Sequence, residues 1–270
     1  MAYKLIILAF IFAAGCVIGW GIEVLYRRFK KSNTEKVWIN PGFLTGPYLP
    51  LYGFGLTLLY ILASMEKYIH VGNSMVQKLV LFLIMAAAMT LTELIAGEIF
   101  IIRMHIKLWD YTDNKLNFKG IICLRFSLYW AVLGAVYYFL IHPHILDMLY
   151  WFSHNLLFSF VIGFFYGIFF IDLCYSFKAV EKIRKFAAEN EMIIRYEELK
   201  KHIKRTAKIR KERYRFMLAF HTETSISEHL KQYLIAQREQ QRSNKINDFI
   251  KKKIKTVSYT HLTLPTTERV

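Results

Sequence analysis

Residues 42–55 read GFLTGPYLPLYGFG, with four glycines (Gly42, Gly46, Gly53, Gly55) and two prolines (Pro47, Pro50) set among aromatic and aliphatic side chains that include Tyr52. A surface turn would mix its Gly and Pro with Asn, Asp and Ser. The uncharged sequence continues only to Met65, so a span starting after Gly55 would hold ten residues. That is about 15 Å of helix against about 30 Å of hydrocarbon. The Gly/Pro run is therefore expected to enter the membrane itself. Irregular backbone at that depth is tolerated only where protein buries it or where it lines a wet cavity, because lipid cannot satisfy free N–H and C=O groups. This makes the run the first candidate for a functional site.

Outward from it, apolar stretches predict spans over about 5–26, 48–65, 76–102, 121–141 and 148–173. The fold class expected is an all-α polytopic membrane protein with about five transmembrane helices and a basic helical cytoplasmic tail. The 18-residue apolar run 5–22 continues into Glu23 without a small-residue cleavage site, which favours a retained first span over a signal peptide. Arg27, Arg28, Lys30, Lys31 and Lys36 follow span one, and Arg103, Lys107, Lys115 and Lys119 follow span three. The opposite side carries only Lys4, Lys67 and Lys78. The positive-inside rule then puts the N-terminus outside and the tail in the cytoplasm. In that arrangement Glu23, the Gly/Pro run, Glu93, Glu98, the loop 109–117 and Asp172 share the cytoplasmic end.

The chain has 270 residues, 55% of them hydrophobic, and yet a formal net charge of +16. Its basic surplus is concentrated late: residues 178–256 hold 22 Lys/Arg against 10 Asp/Glu. Three parts are expected: a transmembrane domain over 1–175, a basic helical tail over 176–257, and a stretch 258–270 (SYTHLTLPTTERV) that reads as non-native read-through. Apolar residues Val180, Ile183, Ala187, Ile194, Leu199 and Ile203 suggest an amphipathic helix from 176 to about 220, and a second helix is expected over 227–254. Their basic faces suit anionic lipid or a solvated arm. Nucleic acid is not an expected partner, since no recognition fold or aromatic platform accompanies the charge. Cys16, Cys123 and Cys174 are widely separated and read as reduced packing residues.

Gly15, Gly19 and Glu23 repeat every four residues and share a helical face, where small residues let a neighbouring helix approach. Gly163 and Gly167 repeat the pattern in the fifth span. Ala86, Thr90, Glu93 and Gly97 form another narrow stripe, from which Glu98 is turned by about 140° relative to Glu93. An intramembrane carboxylate faces a cavity or a partner, so Glu93 is a candidate for ion, proton or substrate contact, or else a clamp on the irregular backbone. Glu23 is expected to clamp that run or pair with Arg27, and Glu98 and Asp172 to lie at the interface near Arg103 and Lys178. In the loop, Trp109 and Tyr111 read as interfacial anchors and Asp110 and Asn117 as loop-closing groups that also offer a partner surface. No calcium-loop pattern or metal-ligand histidine spacing occurs, and no metal or cofactor is expected. No paired Glu with His supports an intramembrane enzyme, so no catalytic residue is assigned.

Gly19-Trp20 with Glu23, Gly42-Phe43-Leu44, Gly46-Pro47, Pro50, Tyr52-Gly53-Phe54-Gly55, Glu93 with Gly97, Trp109-Asp110-Tyr111, Asn117, Gly120 and Ile122-Cys123-Leu124 occur in one order. Together they resemble a family of small bacterial membrane proteins described as type IV ABC-transporter permeases. Pro41 departs from the pattern, standing where the family usually has a basic residue. The resemblance implies a transport-related subunit. The chain holds no GxxxxGK[ST] loop, so ATP hydrolysis would need a separate ATP-binding-cassette ATPase. Five spans are few for a two-sided pathway, and a homo-oligomer is expected. The competing expectation is a non-transporting scaffold or sensor that docks a partner or anionic lipid through its tail.

Overall fold

The computed structural model describes residues 2–30, 33–34, 36–68, 73–145, 147, 155 and 157–261. It is helical almost throughout: α1 (Ala2–Phe29), α2 (Pro50–Ser64), α3 (Ser74–Met104), α4 (Leu124–Val136), α5 (Leu157–Glu189), α6 (Tyr196–Ile209) and α7 (Ile226–His261). Helix α4 runs on through a wide turn at Tyr137–Ile141, and its candidate span continues to Ile145. Four two-residue strands join the ends: β1 (Ile106–Lys107), β2 (Asn117–Phe118), β3 (Ile122–Cys123) and β4 (Ile194–Arg195). β1 and β4 pair in parallel, and β2 and β3 form a hairpin.

Among the described residues, four helices are long and apolar enough to cross a membrane: Lys4–Phe29, Ser74–Met104, Leu124–Ile145 and Ser159–Glu189. The chain is a polytopic all-α membrane protein. The expected second span is shorter than the others, with only the 15 residues of α2 helical, about 22 Å at 1.5 Å per residue. Pro50 sits at its first helical position, where a missing N–H costs nothing. The fourth span starts at Leu124 rather than 121, because Ile122–Cys123 belong to the hairpin. The expected start of the fifth, residues 148–154, lies outside the described residues, as do 262–270 of the stretch read as non-native.

Packing between α1 and α2 rests on glycine. A Cβ on Gly15 would stand 2.9 Å from the Tyr52 carbonyl and 3.0 Å from the Gly53 Cα, so only hydrogen fits there. One core joins α1 to α4, with Ile11, Leu59, Leu81, Met85 and Trp130 buried together. A second surrounds Cys16, Leu44 and Tyr48 and is closed by Phe165 and Phe169 of α5.

The chain forms two compact units, Met1–Glu223 and Thr224–Val270. Helix α7 belongs to the second, and its side chains over 238–251 are exposed. The tail up to Glu223 packs within the first unit. Its expected single helix is instead two, because the chain turns at Glu191 (φ 48°), and Ile194 donates its N–H to the His105 carbonyl at 3.0 Å. Val180, Ile183, Ala187, Ile194, Leu199 and Ile203 are all buried, so the apolar face is spent on protein packing rather than on lipid. The boundary read at 175/176 falls inside α5.

Candidate functional site

The C-terminal ends of α1 and α3, the N-terminal end of α2, and α5 and α6 gather around residues 40–49, while Trp130 of α4 meets Tyr52 just beyond them. This segment is not helical, and its polar groups are satisfied from several sides. Asp172 of α5 accepts the N–H of Thr45 at 3.0 Å and of Gly46 at 2.8 Å, together with the Thr45 and Ser176 hydroxyls. Asn40, buried, donates to the Leu44 and Thr45 carbonyls and accepts from the Trp20 indole at 2.7 Å. Lys200 of α6 donates to the Asn40 carbonyl at 3.0 Å and the Gly42 carbonyl at 2.6 Å. The Leu49 N–H reaches the Cys16 carbonyl at 2.9 Å. This accounting is what irregular backbone within a membrane protein requires.

Glu93 lies about 16 Å along the axis from Met104, the last residue of α3, at 1.5 Å per residue. It is 2% exposed. Tyr111 donates to its Oε1 and Trp130 to its Oε2, each at 3.0 Å. Glu93 therefore does not clamp the irregular backbone; Asp172 does. Glu23 accepts from Arg27 at 2.8 Å and from the Tyr52 hydroxyl at 3.0 Å. The Tyr52 and Trp130 rings lie 4.9 Å apart, so the two glutamates are joined through an aromatic pair. Arg27 also bonds Glu197 of α6. A chain of contacts thus runs from α6 into the bundle, hydrogen-bonded except where the Tyr52 and Trp130 rings meet: Glu197, Arg27, Glu23, Tyr52, Trp130, Glu93, Tyr111.

The glycines of the run do separate jobs. Gly42 has φ 72°, a conformation a side chain rarely adopts. A Cβ on Gly46 would strike the Tyr48 ring at 2.2 Å. Gly53 faces Cys16 and Phe12 of α1, whereas Gly55 faces Met89 of α3. Pro47 is exposed and Pro50 opens α2. Glu98 is apart from this group and bonds Lys119, not Arg103. Asp172 is buried with main-chain and hydroxyl donors in place of the interfacial Lys178 contact.

The loop 105–123 is closed by Asn117, which accepts the Gly120 N–H at 3.1 Å and donates to the Thr112 and Asn114 carbonyls. Trp109 donates to the Ile121 carbonyl at 2.8 Å. Tyr111 is not an interfacial anchor: its ring stacks on Phe126 at 4.2 Å and its hydroxyl points inward to Glu93. Burial, and then the Glu93 charge, raise its phenol well above the ordinary value, so it stays a donor. Asp110 bonds Lys107 at 2.8 Å and meets Arg195 at 3.2 Å, away from Glu23 and Glu93. Burial alone would raise its pKa; the Lys107 and Thr112 hydrogen bonds outweigh that and lower it. Among the described residues no group of three His, Cys, Asp or Glu is placed to hold a metal.

Trp130, Asn40, Glu197 and Lys200 were not singled out from sequence, and Asp172 was placed at this end only as an interfacial group. Lys200 had a readable signal: it falls on the apolar stripe Tyr196, Leu199, Ile203, Ala207 of an otherwise charged helix, a position where a lysine needs a buried partner. No curated protein and no solved structure matches the chain. A family model does, over residues 10–177, which takes in every helix that builds the site except α6, and the chain belongs to that family, described as "Putative ABC-transporter type IV".

Proposed function

We propose that the protein is a transport-related membrane subunit that works with a separate ATP-binding-cassette ATPase, with the site end facing the cytoplasm. The observation that carries this reading is the joining of Glu23 and Glu93, from two different spans, beside a non-helical segment at one end of the bundle. Carboxylates inside spans are retained where ions, protons or substrate must be met. In this reading Tyr52 and Trp130 release their glutamates when a polar cavity opens between α1, α2 and α3, and Gly42, Gly46, Pro47, Pro50, Gly53 and Gly55 provide the backbone that moves. Orientation follows from the basic loops after α1 and α3. A homo-oligomer supplies the remaining wall of the pathway.

The test is cross-linking in cells followed by purification in mild detergent and mass spectrometry. A stoichiometric ATPase subunit whose turnover falls in the Glu93→Gln variant supports the reading. Recovery of the cross-linked chain with no ATPase overturns it.

A second reading, a scaffold or sensor, is favoured by two contacts: Glu197 ties the tail helix α6 to α1, and Lys200 ties it to the Gly/Pro segment. There the tail reports on a docked partner or anionic lipid, and Glu93→Gln leaves activity intact.

A further inference from the structure

Helix α6 is held by an apolar stripe and two polar anchors. Tyr196, Leu199, Ile203 and Ala207 are buried, and β4 fixes the helix start against β1. Glu197 bonds Arg27. The second anchor is chemically unusual. Lys200 is 5% exposed and donates to the Asn40 and Gly42 carbonyls, and among the described residues no carboxylate lies within ion-pair distance of it. An apolar residue would fill such a position at lower cost than a buried amine. Two acceptors, moreover, ask for two N–H donors. An ammonium has three, but a neutral amine has two, so Lys200 loses no hydrogen bond to these carbonyls on giving up its proton.

The charges around it come from every packed element. Arg27 of α1 opposes a positive Lys200, Glu197 of α6 favours it, and the Tyr196 ring, 4.8 Å from Nζ, favours it too. The Asp172 charge, from α5, acts on Tyr196. His202 and Arg205 lie on α6 itself, and His202 is depressed by burial and then by Arg205. Burial is the largest influence on Lys200, followed by Arg27; together they outweigh Glu197 and bring its pKa down to about 7.

We propose that α6 is a proton-controlled latch on the Gly/Pro segment, docked while Lys200 is a neutral amine and released when it must carry its proton. The sign follows from linkage. Released, Lys200 is solvated and titrates at about 10.4; docked, it titrates at about 7. Release therefore takes up a proton between these values, and the docking constant falls as pH falls, by up to about tenfold per unit. Below about 7 both states are protonated and the dependence flattens. Release would free the Asn40 and Gly42 carbonyls while Asp172 keeps its grip on Thr45 and Gly46. It would also part Arg27 from Glu197, carrying the change to Glu23. This inference concerns motion of α6 and stands whether or not the protein transports anything.

The experiment is hydrogen–deuterium exchange of the full chain in lipid nanodiscs from pH 6 to 9, corrected for intrinsic exchange, following peptides over 196–207 and 40–49. In the wild type, protection of both should fall together by up to about 100-fold from pH 9 to 7. Lys200→Met, which cannot be charged, should stay protected across the range, and Lys200→Arg should be open throughout. Lys200→Gln keeps N–H donors without charge and covers a folding failure of Lys200→Met; it too should show no pH dependence. Equal pH profiles for wild type and Lys200→Gln, or protection in the wild type that does not change, would overturn the latch.

Discussion

Asp172 and Glu93 are both buried carboxylates near the entry of the Gly/Pro segment, yet their oxygens face different chemistry. Asp172 accepts two main-chain N–H groups and the Thr45 hydroxyl, all from residues that no helix satisfies, and the Ser176 hydroxyl of its own helix. Glu93 accepts only from the side chains of Tyr111 and Trp130. A carboxylate on main chain is structural, because the backbone has no other donor to offer and no other acceptor to find. One held by side chains can be let go by rotamer changes. The same residue class thus serves as anchor in one place and as movable group in the other.

The sharpest way to break this contrast is Asp172→Ala. Two N–H groups lose their acceptor, each costing about 1–3 kcal/mol, so the variant should lose about 2–6 kcal/mol. Thermal unfolding in detergent would read this as a large drop in midpoint, partly recovered by Asp172→Asn, which keeps one acceptor. An unchanged midpoint for Asp172→Ala would end its role as anchor. Next in size is Gly19→Ala. Its Cβ would fall 2.2 Å from Cβ and Cγ of Tyr52, so Tyr52 must move away from Glu23. Overpacking of this kind costs about 1–3 kcal/mol. The unfolding midpoint and the fluorescence of Trp130, which touches Tyr52, should shift together. Smaller still is Glu93→Gln, which keeps the shape and one acceptor and exchanges one hydrogen bond, about 1 kcal/mol. A near-normal midpoint is expected, which makes this variant usable as a functional probe. A collapse like that of Asp172→Ala would place both carboxylates in the structural class.

These predictions separate what hydropathy can reveal from what it cannot. The spans α1 and α3 were legible because a long uncharged run needs no partner to be a helix in lipid. The irregular backbone of the Gly/Pro run was legible from its glycines and prolines, and the run is non-helical up to Leu49, after which α2 begins with Pro50. The buried positions of the tail were legible too, from the spacing of Val180, Ile183, Ala187, Leu199 and Ile203. What stayed hidden depends on contacts distant in sequence. The tail helix breaks where Ile194 finds Ile106, and no local residue announces a two-residue parallel strand pair. Asp172 looked interfacial because its donors, Thr45 and Gly46, lie more than 120 residues upstream. Tyr111 looked like an interfacial anchor because nothing local shows that its loop folds inward over α3.

The smallest predicted effect tests a pattern that reads alike in two places. Gly15 and Gly19 in α1 and Gly163 and Gly167 in α5 have the same four-residue spacing, and spacing alone assigns both to close helix packing. In the first unit a Cβ on Gly15 or Gly19 would meet Tyr52, Gly53 or Leu56 at 3.0 Å or less, whereas one on Gly163 or Gly167 would meet no described atom within 4 Å beyond its own turn of helix. Gly163→Ala should accordingly destabilise nothing and, through alanine's better helix propensity, raise the stability of the isolated chain by up to about 1 kcal/mol, against a loss of about 1–3 for Gly19→Ala. The difference is one of surroundings, since the residue and the helix type are the same. If the proposed homo-oligomer forms through this open face, Gly163→Leu should lower the oligomer fraction measured by cross-linking in the membrane while leaving the unfolding midpoint of the monomer in place. A fall in monomer stability equal to that of Gly19→Ala would show instead that α5 packs within the bundle through these glycines.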